Sequence, residues 1–348
     1  MDARSQRVYV ASALPEPGGE TDGIVLFEQD AQSGDLAPTM RRASSPGATF
    51  ICLDPSGARL YAAVARSKGG VAAFRVEPDG DLVPIGTAQT GGSGTCHVAV
   101  HPSGKFLLSA DYASGHVAVH RIAEDGSLSQ RCDLVALEGS GPDQKRQEHA
   151  HAHFVWPEPS GRFVLVADLG TDSVLSFAID AQSGRLSMVG RGVADPGSGP
   201  RHLVAHPDGY LLVTAELGSG LMTFAYDATS GSTRWLSSVP ASERATPGGN
   251  FPSELVLGPK ARFCYVANRG ADTISTFSLG DGGPQLLSEV SCEGSWPRHL
   301  AVVGEHLYVA NQESDTVVAF GLDKSTGIPR STGVVVSIPR PYCILAAS

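Results

Sequence analysis

The chain has 348 residues, a hydrophobic content of 41% and a net charge of −10 at pH 7. Its Lys and Arg residues form no cluster longer than two. This argues against nucleic acid or an anionic membrane as a partner, because both are bound through concentrated positive charge. There is no apolar run of about 18 residues and no signal-peptide core. We therefore expect a soluble, cytoplasmic protein that is a monomer or a weak homodimer.

A short apolar strand pattern recurs seven times, and each copy ends in a small or polar residue. The copies are spaced by roughly 45 to 57 residues, which is the length of a four-stranded propeller blade with its connections. They lie at 7–13, 58–66, 104–112, 161–169, 209–217, 261–269 and 305–312. We predict an all-β fold, a seven-bladed β-propeller, built as a single domain over residues 1–348.

A second strand pattern precedes the turn of each repeat. Its copies lie at 48–57, 94–104, 151–161, 199–209, 251–261 and 296–305. Several end in Pro followed by Ser-Gly or Asp-Gly, a sequence that suits a tight reversal. A last copy at 340–347 has no downstream partner, and the strand at 7–13 has no upstream one. We predict that these two terminal strands pair and close the ring, which removes an open sheet edge.

Aligning the repeats predicts two rings of mostly polar side chains, because the first strand of each blade lines the channel and side chains alternate along it. The first ring is expected to hold His97, His153, His202, Glu254, His299, Cys343 and Thr49. The second is expected to hold Asp111, Asp168, Glu216, Asn268, Asn311, Ala65 and Ser12. Recurring members can serve as hydrogen bonds between blades. Groups that do not recur are the better candidates for a site, and these are Glu216, Arg201, Arg269, Arg298 and the HAHAH run at 149–153.

Five motifs in order resemble one known family. They are HAH at 151–153, GPRH at 199–202, AEL at 215–217, NRG at 268–270 and WPRH at 296–299. Together they resemble the seven-bladed lactonases, which include the propeller-type 6-phosphogluconolactonases and the fungal carboxy-muconate lactonizing enzymes. The resemblance covers about residues 7 to 346.

The resemblance implies that His153, Arg201, Glu216 and Arg269 bind the lactone and act on it. Three departures from the family pattern bear on the substrate: Ala215 and Asp111 each replace an Asn, and His149 extends the HAH motif. Further candidates for binding the substrate are His149, His151, Asp111, His97, His202 and Arg298.

Lactone hydrolysis needs an activated water, stabilisation of an oxyanion and help for the departing ring oxygen. Either Glu216 or His153 could take the proton from water. We favour Glu216 as the base and His153 as the acid or water-orienting group. Arg201 and Arg269 would form an anion clamp, since their planar guanidinium groups suit a carboxylate, a phosphate or an oxyanion.

The resemblance implies that no cofactor is needed. A divalent metal is the rival chemistry, with His149, His151, His153, Asp111, Asp168 and Glu216 as available ligands.

The predicted function is hydrolysis of a sugar-acid lactone, 6-phosphogluconolactone, in the oxidative pentose phosphate route. Few Lys or Arg side chains near the motifs could contact a phosphate. Arg66 and Lys68 could supply such contacts, or they could form a solvated turn. One alternative is a cycloisomerase or lactonase for a dicarboxylate or unphosphorylated sugar lactone. Another is a non-enzymatic propeller that acts as a binding or scaffold protein.

Overall fold

The computed structural model describes residues 5–13, 23–45, 47–65, 68–244, 246–280 and 282–347. Twenty-eight strands in these residues form seven antiparallel sheets of four strands each. This confirms the predicted all-β, seven-bladed propeller. The described residues contain no helix long and apolar enough to cross a membrane.

Blades II to VII each use four consecutive strands. Blades II to IV comprise β4 Ala48–Leu53, β5 Arg59–Val64, β6 Gly70–Val76, β7 Leu82–Gln89, β8 Thr95–Val100, β9 Phe106–Asp111, β10 His116–Ile122, β11 Leu128–Ala136, β12 Ala152–Pro157, β13 Phe163–Asp168, β14 Ser173–Ile179 and β15 Leu186–Val193. Blades V to VII comprise β16 Pro200–His206, β17 Tyr210–Ala215, β18 Gly220–Tyr226, β19 Thr233–Pro240, β20 Phe251–Leu257, β21 Phe263–Arg269, β22 Thr273–Ser278, β23 Gln285–Ser291, β24 Pro297–Val303, β25 His306–Asn311, β26 Thr316–Leu322 and β27 Pro329–Ser337. Single 3₁₀ turns lie at Leu169–Thr171 and Pro259–Ala261.

Blade I closes the ring by combining the two ends of the chain. Its strands are β28 Pro341–Ala347, β1 Ser5–Ser12, β2 Gly23–Asp30 and β3 Leu36–Ser44, in that order from the channel outwards. β28 and β1 are antiparallel, with Arg7 opposite Ala347 and Ala11 opposite Cys343. This confirms the predicted closure, and each first strand contacts the first strands of its two neighbours around the channel.

The blades are joined by apolar packing and by a repeated hydrogen bond. Each hydrophobic cluster draws buried residues from two adjacent blades, as Phe106 and Phe177 do between blades III and IV. In four blades a buried Tyr at the second strand donates its hydroxyl proton to a Gly carbonyl at an outer turn of the next blade. The pairs are Tyr9 with Gly80, Tyr61 with Gly126, Tyr265 with Gly327, and Tyr308 with Gly34. All four glycines have positive φ, a conformation in which a side chain is strained.

Every first strand carries a β-bulge at the same place. Pairing with the second strand shifts register there, for example between Thr95 and His97 in β8 and between Ala152 and Phe154 in β12. A bulge interrupts the alternation of side chains. The bulged residues, which we call the pocket layer, are Thr49, Cys96, His153, Arg201, Ser253, Arg298 and Tyr342. The residues that follow them, which we call the plug layer, are Phe50, His97, Phe154, His202, Glu254, His299 and Cys343.

The bulge corrects the first predicted ring. Phe154 lies opposite Ala167 in the way that His97 lies opposite Ala110. The residue of blade IV equivalent to His97 is therefore Phe154, and His153 was placed in the wrong ring. The same correction applies to blade II, where Phe50 rather than Thr49 belongs to the ring of His97.

The second predicted ring was also wrong by one residue for Glu216 in blade V and for Ala65 in blade II, where Val64 lies opposite Ala48. Asp111 lies opposite Thr95, and the residue opposite the equivalent Pro200 is Ala215 rather than Glu216. Glu216 therefore shares its position with Arg269. The other occupants of that position are Tyr112, Leu169, Gln312, Ala13 and Ala65.

Candidate active site

A cavity of about 430 Å³ opens at one end of the channel. Nearly all of its wall comes from two equivalent positions of the blades, the bulged residue of the first strand and the residue after the buried run of the second strand. Its lining residues are Thr49, Ala65, Gly94, Cys96, Tyr112, Arg146, His153, Glu216, Arg269, Arg298 and Tyr342. Equivalent positions of the repeat therefore form the cavity wall, and the side chains at these positions differ in chemistry from blade to blade.

Glu216 is the centre of a cluster of arginines. Its Oε2 lies 2.9 Å from Nε of Arg201 and 2.7 Å from Nη2 of Arg269. Its Oε1 accepts a hydrogen bond of 2.5 Å from Nη2 of Arg146. Three guanidinium groups therefore share one carboxylate at the cavity wall.

Backbone carbonyls hold the two innermost guanidinium groups in place. Nη1 of Arg201 donates to the carbonyl of Ser253 at 2.9 Å. Nε of Arg269 donates to the carbonyl of Phe251 at 2.9 Å, and the Arg269 guanidinium carbon lies 5.5 Å from the Trp296 ring. Because these contacts come from blades V and VI, the cluster fastens two neighbouring blades at the cavity.

The charges of this cluster fix its protonation. Burial raises the pKa of the Glu216 carboxyl, but the charges of Arg269 and Arg201 lower it by more than burial raises it. The pKa of Glu216 therefore lies well below its ordinary value. Burial and the neighbouring Arg269 lower the pKa of Arg201 to about 9. At neutral pH the carboxylate is charged and Arg201 remains protonated. A carboxylate with so low a pKa is a weak base.

His153 faces the same cavity in its neutral form. Its side chain is buried, and burial together with the charge of Arg201 lowers its pKa well below the ordinary value. Its ring meets the edge of Tyr112 at a centroid distance of 5.4 Å. His153 therefore has a free lone pair at neutral pH and can accept a proton.

A fourth guanidinium, that of Arg298, stands across the cavity. Its Nη1 donates to Oε1 of Gln312 at 3.2 Å, and its guanidinium carbon lies 4.4 Å from the centre of the Tyr342 ring. None of these partners is a carboxylate, so its charge remains available to an anion. The described wall of the cavity thus carries more positive than negative charge.

The plug layer fills the channel beneath this cavity. The Phe50 and Phe154 rings each lie 4.0 Å from the His97 ring, and His202 meets Phe154 at 4.8 Å. Glu254 accepts from His202 at 3.0 Å and lies 3.1 Å from His299.

The same burial sets the charge states within the plug. Burial raises the pKa of Glu254. It lowers the pKa values of His97, His202 and His299. Burial therefore favours the neutral form of each of these groups in the plug.

The structure brings four predicted site residues together and separates the others. His153, Glu216, Arg269 and Arg298 line the cavity, and the buried Arg201, which is not part of the lining, contacts Glu216. His97 and His202 lie in the plug, and Asp111 is buried where its Oδ1 accepts a hydrogen bond from Thr95. His149 and His151 lie outside the cavity wall, on the far side of Tyr112.

The predicted metal ligands are likewise divided. Asp168 accepts hydrogen bonds from the backbone of His151 and Gly170, so it holds the chain rather than facing the cavity. In the described residues, the group whose ligand atoms are close enough to share an ion combines His149 and His151 with Glu148.

Sequence reasoning missed three residues of the cavity. Arg146 precedes the HAH motif by five residues in an irregular segment, so no repeat marks it. Tyr112 and Tyr342 occupy the same two equivalent positions as Glu216 and His153. An alignment made by the observed strand pairing groups Tyr112 with Glu216 and Tyr342 with His153.

A second cavity lies between the outer strands of blades I and II. Its volume is about 750 Å³, and its described lining includes Ser44, Ser45, Lys68, Gly69 and Gln89. Lys68 is the charged residue among those that line it. Arg66, the other predicted phosphate ligand, lies outside the described residues. The described lining of this cavity therefore lacks a histidine or carboxylate such as those of the channel cavity.

Comparison with known proteins gives a consistent result. A family model described as "Lactonase, 7-bladed beta-propeller" matches residues 7–346. A Bacillus subtilis protein named 6-phosphogluconolactonase is 32% identical over 333 residues, which cover 94% of this chain and 95% of that protein. A Formosa agariphila protein of the same name is 28% identical over 318 residues, which cover 88% and 90%. The structure of a Pseudomonas aeruginosa periplasmic gluconolactonase has a TM-score of 0.91 at 26% identity and covers 99% of both chains.

Proposed function

This chain belongs to the seven-bladed β-propeller lactonases, and we propose that it hydrolyses 6-phosphogluconolactone to 6-phosphogluconate, a step of the oxidative pentose phosphate pathway. The observation that carries this proposal is the channel cavity, whose wall holds Arg146, Arg269, Arg298, the Glu216 carboxylate and a neutral histidine, with the buried Arg201 against that carboxylate. A cavity of this size suits a small ligand, and its excess positive charge suits an anionic one.

We assign the base to His153 rather than to Glu216. The pKa values of both groups are lowered, so the choice rests on their contacts. Both carboxylate oxygens of Glu216 are held by three arginines. His153 is neutral and faces the cavity, and its Nδ1 has no hydrogen-bond partner among the described residues. In this assignment Glu216 is a positioning residue that holds the arginines.

The reaction then proceeds in two steps. The oxygen of a water molecule bonds to the lactone carbonyl carbon while His153 takes one of its protons, and an arginine stabilises the oxyanion that forms. The bond between the carbonyl carbon and the ring oxygen then breaks, and His153 returns the proton to that oxygen. No metal takes part in these steps.

The arginines divide naturally between the two ends of the substrate. Arg201 and Arg269 are fixed by backbone carbonyls and both contact Glu216 at the centre of the cluster, so we assign them to the developing oxyanion. Arg298 and the half-exposed Arg146 lie at the wall with fewer restraints, and we assign them to the phosphate. The predicted cytoplasmic location and the monomer or weak dimer stay predictions.

The test is a comparison of kcat/KM for 6-phosphogluconolactone, glucono-1,5-lactone and a dicarboxylate lactone, measured as proton release above the uncatalysed rate. We expect the phosphorylated lactone to be preferred. Arg298→Ala and Arg146→Ala should lower that preference by at least roughly tenfold. Lys68→Ala is the matched control, because Lys68 lines the other cavity.

Three other results of the lactone comparison would change the proposal. Preference for the unphosphorylated lactone would contradict the assignment of a phosphate site. A loss of the phosphate preference in Lys68→Ala would move that site to the second cavity. Absence of turnover for all three lactones would favour a binding or scaffold protein.

A further inference from the structure

Three side chains that the proposed reaction does not use converge just outside the channel cavity. Glu148, His149 and His151 lie in the segment that leads into β12. Nε2 of His149 lies 3.6 Å from Oε1 of Glu148, and Nε2 of His151 lies 3.4 Å from Oε2 of the same carboxylate. The two imidazole rings are 4.2 Å apart, centroid to centroid. One atom from each of the three side chains can therefore face a common point.

Hydrogen bonds to the backbone decide which ring nitrogens face that point. Nδ1 of His149 lies 2.7 Å from the carbonyl of Ala150, and Nδ1 of His151 lies 2.8 Å from the carbonyl of Tyr112. A carbonyl oxygen only accepts, so each Nδ1 carries a proton. In the neutral rings each Nε2 then carries a lone pair, and metal-binding histidines are commonly held in this way.

When both imidazoles are in the neutral form, the cluster has acceptors but no donor. The His151 side chain is 5% exposed, and its Nε2 is buried without a hydrogen-bond partner. It points towards Glu148, which is also an acceptor when ionised. A buried acceptor without a donor is costly, and a cation at the common point would satisfy all three groups.

We propose that Glu148, His149 and His151 bind a divalent transition-metal ion such as Zn²⁺. Two imidazole nitrogens and one carboxylate form a donor set that suits Zn²⁺ and related ions, whereas Ca²⁺ and Mg²⁺ prefer oxygen ligands. Ligands about 2.1 Å from a tetrahedral ion lie roughly 3.4 Å from one another. Nε2 of each histidine lies at about this spacing from the nearer Glu148 oxygen, 3.6 Å from Oε1 and 3.4 Å from Oε2, and one ligand atom from each of the three side chains lies within 4.8 Å of the others.

The position of the site suggests what the ion does. His151 stacks on Tyr112 at 4.5 Å, and Tyr112 forms part of the cavity wall. Glu148 is separated from Arg146 only by Gln147, whose amide is buried and donates to Leu169 and Asp172. The ion would therefore hold the segment that delivers Arg146 to Glu216. It would be a structural ion, separate from the reacting atoms.

Metal binding is tested on the full chain after treatment with a chelator and its removal. Calorimetric titration with ZnCl₂ alone should show one saturable site. CoCl₂ should bind at the same site and give visible absorption bands, and MgCl₂ should bind far more weakly. His149→Ala should lower Zn²⁺ affinity by at least roughly tenfold. This side chain is 47% exposed, so its loss should not disturb packing.

The matched control is His206→Ala. His206 also faces a carboxylate, with Nδ1 3.5 Å from Oδ2 of Asp208, but it has no second histidine beside it among the described residues. Zn²⁺ affinity should be unchanged in this variant. Absence of saturable Zn²⁺ binding, equal loss in both variants, or Mg²⁺ binding as tight as Zn²⁺ would each overturn the proposal. Because binding is measured without a lactone, the result does not depend on the proposed reaction.

Discussion

The pocket layer and the plug layer are formed by neighbouring residues of the same seven strands, yet they differ in almost every physical property. The pocket layer includes Arg201, Arg298 and His153 and borders the channel cavity. The plug layer packs aromatic rings against neutral histidines and a buried Glu254. One step along the backbone therefore separates groups placed for chemistry from groups that fill the channel.

This contrast shows how a repeat can carry a site without losing its symmetry. The plug residues contact one another around the whole ring, so each must fit its neighbours. The pocket residues face a cavity and are less constrained in size. Variation between blades is consequently largest in the pocket layer, where it produces the charge cluster around Glu216.

The largest effect on stability and on turnover is expected from Glu216→Gln. Loss of the carboxylate leaves Arg201 and Arg269 buried without a counter-charge, which should lower the free energy of unfolding by about 3 kcal/mol. We also expect kcat/KM to fall by roughly 100-fold or more, because the arginines lose their fixed positions. Urea unfolding and lactone turnover measure the two effects. In the control, Glu313→Gln removes an exposed pair with Arg340 and should cost less than about 1 kcal/mol. Unchanged stability in Glu216→Gln would contradict the central role of this carboxylate.

The two layers can be compared directly by the same substitution, His to Phe, made once in the pocket layer and once in the plug layer. His153→Phe should lower kcat/KM by roughly 100-fold or more, since a proton acceptor is lost. His97→Phe should retain turnover within a few-fold, because Phe50 and Phe154 already occupy equivalent positions of the plug. Steady-state kinetics with one lactone compares the two variants directly. Equal losses would mean that the layers do not divide chemistry from packing.

A smaller effect concerns stability in acid. The pKa values of His97, His202 and His299 are lowered by burial, so the unfolded chain binds these protons more readily than the native chain does. Stability is therefore present above the ordinary histidine pKa near 6.5 and is lost as pH falls below it. Each such histidine contributes a slope of up to about 1.4 kcal/mol per pH unit.

The acid effect is measured by comparing His97→Phe with the unchanged chain. Urea unfolding at pH 7 and pH 5 gives the free energy of unfolding of both proteins. The variant should gain up to about 2 kcal/mol relative to the unchanged chain between these pH values. Contributions from Glu254, whose raised pKa acts in the opposite direction, are common to both proteins and cancel. A constant difference would show that His97 titrates normally in the folded chain.

The smallest effect is expected from Glu254→Gln. Burial raises the pKa of Glu254, and its partners His202 and His299 have lowered pKa values, so a neutral amide can replace the carboxyl. We expect a change of less than about 1 kcal/mol in stability and little change in kcat/KM. A loss as large as that in Glu216→Gln would show that the plug also depends on a charged carboxylate.

Sequence periodicity predicted the fold because it is repeated seven times, and errors in single copies do not alter the period. The pairing of β1 with β28 followed from two unpartnered copies of the pattern. The site was harder to predict. Residues carried over from family motifs, such as Glu216 and Arg269, meet at the cavity. The ring assignment was wrong for His153 because the bulge places two consecutive residues, His153 and Phe154, at the channel instead of alternating ones. It was wrong for Glu216 because the turn between Ala205 and Leu211 is one residue shorter than the turn between Val100 and Leu107.

The bulges free the seven pocket positions from the hydrogen-bond pairing of the sheets. A bulged residue is left out of the pairing ladder, so its side chain can be exchanged without shifting the strand or disturbing the plug residue that follows it. Thr49, Cys96 and Tyr342 already show how different these side chains can be at equivalent positions. The propeller thus offers a circle of exchangeable positions around one cavity, on which a new substrate preference can be built by single substitutions while the scaffold stays as it is.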